Sequence, residues 1–209
     1  MISIGQARRL YEDVDGVHDF DHVLRVYRVA ERIARPEGAD LSIVRTAALL
    51  HDIGRAQEMK VGGDHASLAA QRVPEILAGR PAEVVAAVAH AVGAHRFRTD
   101  PQPATLEAQV LFDADKLDAI GAVGVARAFA YGGAHGQRLW VPRESVDLDR
   151  WEADGDVLLD HTPVHEFVVK LSRIRDRLFT ATARAVAAER HAVMVAFFDR
   201  LSREVQGQA

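Results

Sequence analysis

Residues 47–54 read Ala-Ala-Leu-Leu-His-Asp-Ile-Gly, an apolar run that ends on two adjacent ionisable side chains, His51 and Asp52. An imidazole beside a carboxylate at the buried end of a helix is costly to desolvate unless a partner or an ion compensates it. Two more helical stretches carry the same kind of side chain. DHVLRVYRVAERIA (21–34) holds His22, and LEAQVLFDADKLDAIG (106–121) holds Asp115. The gaps between them are wide, so only a fold can bring the four together. Two imidazoles and two carboxylates form a donor set for a divalent ion such as Mn, Fe, Co, Ni, Zn or Mg. Four protein donors leave positions open for water, as metal-activated hydrolysis requires. Asp52 has two parts to play, because its second oxygen can hydrogen-bond the attacking water.

The apolar residues keep a helical period almost throughout, and the expected fold class is all-α. Val23, Val26, Tyr27, Ala30 and Ile33 form one stripe, with Asp19 or Asp21 placed to cap it. Asp40 caps the next helix, which runs to Gly54, a residue suited to a left-handed turn. A third helix starts near Asp64-His65, and Pro74 interrupts its pattern. Pro81 fits the first turn of a fourth helix reaching about His95, and Thr105 caps a fifth. Tyr131-Gly132-Gly133 ends a helix. About 134–162 is one long irregular segment, with Trp140 and Trp151 as anchors and a possible role as active-site cover. From Pro163 to about Val205 the pattern gives one helix or two, jointed at Thr180 or Thr182.

Composition narrows the class. With 209 residues, 48% of them hydrophobic, the chain can bury a substantial core, and a single domain over 1–209 is expected. The net charge of −4 gives no basic stripe, so a nucleic-acid polymer is not the expected partner. Zero cysteines rules out disulfides and thiolate ligands and suits a cytoplasmic setting. No apolar run approaches the roughly 20 residues that span a bilayer, so no membrane partner is expected. Oligomeric state is not legible.

Five segments in order carry a resemblance: Asp21-His22-Val23-Leu24-Arg25-Val26, then His51-Asp52-Ile53-Gly54, then Asp113 through Gly121, Ala128-Phe129-Ala130-Tyr131-Gly132-Gly133, and Ala188-Glu189-Arg190-His191. The chain resembles the HD-domain metal-dependent phosphohydrolases, in their small stand-alone bacterial branch, over most of residues 17–195. The resemblance implies an HD-type helical bundle that cleaves a phosphoester or phosphoanhydride bond, with a small phosphorylated molecule, foremost a nucleotide, as substrate.

Cations and further histidines surround the expected site. Arg25 lies one turn after His22, and Lys116 follows Asp115; both are candidates to neutralise substrate phosphate, with Arg55 as a third. Asp118, one turn after Asp115, either orients a metal-bound water or holds a cation. His65 and His95 contact phosphate or a second metal, while His90 does not share a face with His95. His18-Asp19 stands before the first stripe as a cap or a support for His22. Glu166 occupies a place where relatives tend to show a histidine, with His165 displaced, and His191 packs the last helix. Two rivals remain: a di-iron protein that activates O₂, using the added histidines, and a non-catalytic nucleotide-binding module. O₂ uptake, or nucleotide binding without turnover, separates them from a hydrolase.

Overall fold

Ser3 caps a short helix, α1 (Ile4–Arg8), by accepting the Gln6 amide hydrogen while the Gln6 side chain returns to the Ser3 backbone. The computed structural model describes residues 2–11, 20–96, 102–147 and 161–208, and among them every regular element is a helix. His18, Asp19, Arg98 and Trp151 lie outside the described residues, as does 148–160 within the expected irregular segment. No helix among the described residues is long and apolar enough to cross a membrane.

The chain divides into two compact units, Met1–Lys116 with Leu178–Ala183, and Leu117–Arg177 with Arg184–Ala209. The first holds α2 (Phe20–Glu37), α3 (Leu41–Leu50), α4 (Arg55–Val61), α5 (His65–Ile76) and α6 (Ala82–Gly93). It also holds most of α7 (Leu106–Asp118). The α2 stripe is realised: Val23, Val26, Ala30 and Ile33 are buried, and Tyr27 packs half-buried on the cluster of Ala7, Phe20, Val23 and Leu49. α2 packs on α3, α3 on α6, and α6 on α5. Ala47, Ala48, Ala66, Ala69 and Ala91 are all fully buried, and such small side chains let helix backbones approach closely.

Several expected boundaries hold for the reasons read from sequence. Asp40 accepts the amide hydrogens of Ser42 and Ile43 at the start of α3, Asp64 caps α5 through Ser67, and Thr105 accepts the Ala108 amide hydrogen. Others change. Asp21 lies in the first turn of α2 rather than at its cap. Pro74 sits inside α5 without ending it, because in the last turn its missing N–H forfeits a single bond. Pro81 precedes α6 as its cap residue.

In the second unit, α8 spans Gly121–Ala134, so Gly132 and Gly133 form its last turn. Thr162 caps α9 (Pro163–Val169), with Pro163 at its first position, as the change of pattern there implied. A 3₁₀ stretch, Leu171–Arg177, precedes α10 (Ala181–Val205), and Thr180 is the joint, its hydroxyl accepting the Ala183 amide hydrogen. The described part of the irregular segment is anchored by buried Val141 and by Arg143 rather than by Trp140. Arg143 pairs with Asp199 at 2.8 Å and lies over the Phe167 ring.

Candidate metal centre

The His51-Asp52 pair sits in the turn that leaves α3. Gly54 closes that turn with φ −84°, in the right-handed region, so the left-handed role expected for it does not apply. What requires glycine is proximity: a Cβ there would meet His65 O at 2.2 Å and Ala69 N at 2.9 Å. The turn is thereby pressed onto the start of α5, which brings His65 beside the doublet. Arg72 of α5 donates to Ile53 O at 2.8 Å, and the Tyr11 hydroxyl donates to Leu49 O at 3.0 Å. These bonds satisfy carbonyls that the end of α3 would leave unmet.

The four residues read as ligands gather around His22 Nε2, and two sets of three, His22-His51-Asp115 and His51-Asp52-His95, are each close enough to share an ion. His22 Nε2 lies 3.3 Å from His51 Nε2, 3.4 Å from Asp115 Oδ1 and 3.5 Å from Asp52 Oδ2, and His51 Nε2 is 3.6 Å from the same Oδ2. Donors about 2.1 Å from one ion stand about 3.0 Å apart in an octahedron and about 3.4 Å in a tetrahedron. The spacing therefore fits a divalent first-row ion. On the other side of the same carboxylate, Asp52 Oδ1 faces His65 Nε2 and His95 Nε2, each at 3.5 Å. That oxygen is buried and has no hydrogen-bond partner among the described residues. A carboxylate oxygen without a donor among imidazole nitrogens is a donor set suited to a cation.

Hydrogen bonds settle which nitrogen of three rings faces the centre. His51 Nδ1 lies 2.8 Å from Ala48 O, and His95 Nδ1 lies 2.6 Å from Val92 O. A carbonyl only accepts, so both protons sit on Nδ1 and both Nε2 atoms offer lone pairs. His65 Nδ1 meets the Glu58 carboxylate at 2.9 Å with the same consequence.

Burial pushes the His51 imidazole down to about 4, so it is neutral and able to ligate at neutral pH, and burial lowers His65 too. For Asp52, burial opposes ionisation while the Arg55 guanidinium favours it, and the carboxyl is held well below its usual range. The Arg55 Nε donates to Asp52 Oδ2 at 2.6 Å. Burial likewise opposes ionisation of Asp115, and Lys116 with His22 overcomes it.

The cations expected to meet substrate occupy distinct places. Arg25 is half-buried on α2. Lys116 bonds Asp115 Oδ2 at 2.7 Å and lies over the Phe112 ring, so its ammonium holds the ligand carboxylate. Arg55 is tied to Asp52 in the same way. Asp118 receives Arg127 Nη1 at 2.9 Å, an ion pair within the fold. His90, on α6, accepts the Ala104 amide hydrogen at 3.1 Å and so ties down the stretch before α7 rather than joining the cluster. Glu166 pairs with His161 and Lys170, His165 with Thr162, and His191 is half-buried on α10.

Four contributors had no signal in the sequence: Glu58, Arg72, Arg96 and Tyr11. Each acts across a turn or a helix packing that spacing alone does not encode.

Comparison with known proteins places this geometry. The HD-domain family model matches residues 19–120. The uncharacterised protein YpgQ of Bacillus subtilis is 36% identical over 207 residues, covering 96% of this chain and 91% of that protein. The crystal structure of B. subtilis YpgQ in complex with ADP aligns with a TM-score of 0.75 at 32% identity, over 99% of this chain and 100% of that one. A predicted HD-superfamily hydrolase from an uncultured Thermotogales bacterium aligns with a TM-score of 0.66 at 31% identity, over 96% of this chain and 90% of its own. Ribonuclease Y of Chloroflexus aurantiacus is 32% identical over 165 residues; the match takes in 68% of this chain but 31% of that enzyme, so the chain spans about a third of its length.

Proposed function

The chain belongs to the HD-domain superfamily and carries its hydrolase fold, and on that premise we propose that it is a metal-dependent phosphohydrolase acting on a nucleotide. The observation that carries this reading is the convergence of His22, His51, Asp52 and Asp115, with an unsatisfied oxygen left on Asp52. A divalent ion held by those four supplies Lewis-acid polarisation of a phosphoryl oxygen and a water acidic enough to attack at neutral pH.

The remaining chemistry belongs to the chain's own side chains. With one ion bound, Asp52 Oδ1 would accept the proton of the attacking water, since Arg55 takes Oδ2; with a second cation bound beside His65 and His95, that oxygen would be its ligand instead. Lys116 holds Asp115 Oδ2 and leaves Oδ1 turned to His22. Arg25, one turn beyond His22, neutralises phosphate charge that builds up as the bond to phosphorus breaks. That B. subtilis YpgQ was crystallised with ADP supports a nucleotide as the substrate class.

The geometry favours one refinement. His65 Nε2, His95 Nε2 and Asp52 Oδ1 all present lone pairs to one another, an arrangement that repels a phosphate oxygen and attracts a cation. Of the two roles open to His65 and His95, a second cation is favoured over direct phosphate contact. One ion or two is then a matter of counting.

The test is hydrolysis by chelator-treated protein, resupplied with Mn, Fe, Co, Ni, Zn or Mg one at a time. Substrates are nucleoside mono-, di- and triphosphates, a generic phosphoester and an RNA oligonucleotide, with products identified and bound metal counted. Metal-dependent release of phosphate or pyrophosphate from a nucleotide is expected. Cleavage of the RNA alone would move the reading toward the chemistry that the ribonuclease Y name describes, and O₂ consumption without hydrolysis would replace it with the oxidase.

A further inference from the structure

Outside the four ligands, Glu58, Asp64 and His65 bring two carboxylates and an imidazole close enough to share an ion. A guanidinium already fills that position. Arg96 Nη1 lies 2.6 Å from Asp64 Oδ1 and 3.3 Å from Glu58 Oε1, while Asp64 Oδ2 accepts both the amide and the hydroxyl hydrogens of Ser67. The cluster therefore already holds a cation of its own, and its geometry serves something else. Glu58 grips one residue twice: Oε1 accepts the His65 backbone N–H at 3.3 Å, and Oε2 meets the His65 Nδ1 at 2.9 Å.

We propose that Glu58 is a positioning residue that keeps the His65 proton on Nδ1, so that His65 Nε2 presents its lone pair to the buried Asp52 Oδ1, and that Arg96 and Asp64 hold Glu58 in place for this task. A neutral imidazole has one proton and two nitrogens, and the stronger acceptor decides where the proton sits. Two acceptors compete for His65. Glu58 Oε2 stands 2.9 Å from Nδ1, and the orphaned Asp52 Oδ1 stands 3.5 Å from Nε2. With Glu58 present the nearer acceptor wins, and Nε2 remains a donor of electrons. Without it the proton moves from Nδ1 to Nε2, where it satisfies Asp52 and turns a cation-binding face into a hydrogen-bonded one. Arg96 directly follows His95, so the same clamp ties both histidines on this side of Asp52 to one frame.

The proposal rests on the functional reading above only for what the lone pair is used for; the tautomer itself is independent of it. The experiment records side-chain ¹⁵N–¹H correlations of the histidines at about pH 8 in metal-free protein. It compares wild type, Glu58→Ala and Glu58→Gln, with His65→Gln used to assign the signals. Wild type is expected to show His65 as the Nδ1–H form. Glu58→Ala is expected to shift more than half of it to Nε2–H, and Glu58→Gln, which keeps shape but can also donate, to show both forms. Titration with Mn²⁺ is expected to weaken by about 10- to 100-fold in Glu58→Ala, the usual cost of losing a group that orients a ligand. An unchanged Nδ1–H population in Glu58→Ala overturns the proposal, and if that variant does not fold, an unchanged population in Glu58→Gln does so. Should wild type hydrolyse no nucleotide, the functional reading fails while the tautomer result still decides this one.

Discussion

Two buried aspartates, Asp52 and Asp113, are 3% and 0% exposed and live under opposite conditions. Asp113 has both oxygens met: Oδ1 accepts the Phe179 amide hydrogen at 2.9 Å, and Oδ2 accepts the amide and hydroxyl hydrogens of Thr180 at 2.8 and 2.7 Å. Asp52 has one oxygen bonded to Arg55 and the other facing the Nε2 atoms of His65 and His95 at 3.5 Å. A buried carboxylate saturated with donors stabilises the fold, here by fastening α7 to the start of α10. One with an oxygen left open among other acceptors keeps lone pairs for what it can bind. Burial alone does not distinguish them; the partners do.

The largest effect expected from this contrast is catalytic. Asp52→Ala should lower nucleotide hydrolysis on the order of 1000-fold or more and remove bound metal. The variant should still fold, but its urea midpoint should fall, because Arg55 loses the carboxylate it is paired with. Activity retained after chelation in this variant would sink the mechanism.

Next comes Asp113→Ala. It strands two buried amides and a hydroxyl, each worth about 1–3 kcal/mol when left unmet, so urea unfolding should show a loss of about 3–5 kcal/mol. Metal bound per folded chain should stay at the wild-type level. A variant of ordinary stability that has lost its metal would reverse the assignment of the two aspartates.

Arg25→Ala sharpens the comparison on the substrate side. Loss of one or two charge-assisted hydrogen bonds should lower kcat/KM by about 10- to 100-fold with metal content unchanged. Steady-state kinetics beside metal analysis decides it, and unchanged kinetics would return Arg25 to a surface charge.

The smallest effect concerns a third satisfied carboxylate, in the second unit. Burial opposes ionisation of Glu166, but His161 and Lys170 outweigh it and bring the group from 4.5 to about 2. Its folded value is the depressed one, so its contribution is fully present above about pH 4.5 and is lost as pH falls toward 2. Glu166→Gln should therefore cost about 1–2 kcal/mol near pH 7 and little near pH 2, less than the full shift because the Lys170 side is exposed. Thermal melts of both proteins across that range test it, and a difference independent of pH would assign the loss to packing.

Much of this protein was legible before any coordinates. Helices follow from apolar period and from caps whose side chains bond backbone only two or three residues away, as Asp40, Asp64, Thr105, Thr162 and Thr180 do. That His22, His51, Asp52 and Asp115 lie near one another was legible as well, because ionisable side chains behind apolar helical runs call for a partner or an ion. Tertiary structure alone decided the rest. Spacing suggested a left-handed turn at Gly54, but the constraint is the approach of α5, which no local pattern records. Lys116 and Asp118 read as active-site groups, and their partners, Asp115 and Arg127, emerge only when side chains are placed. Glu58 and Arg96 gave no signal at all. The physical reason is one of range: backbone conformation is set by neighbours within a turn or two, whereas the proton on an imidazole and the partner of a buried charge are set by groups that folding brings together.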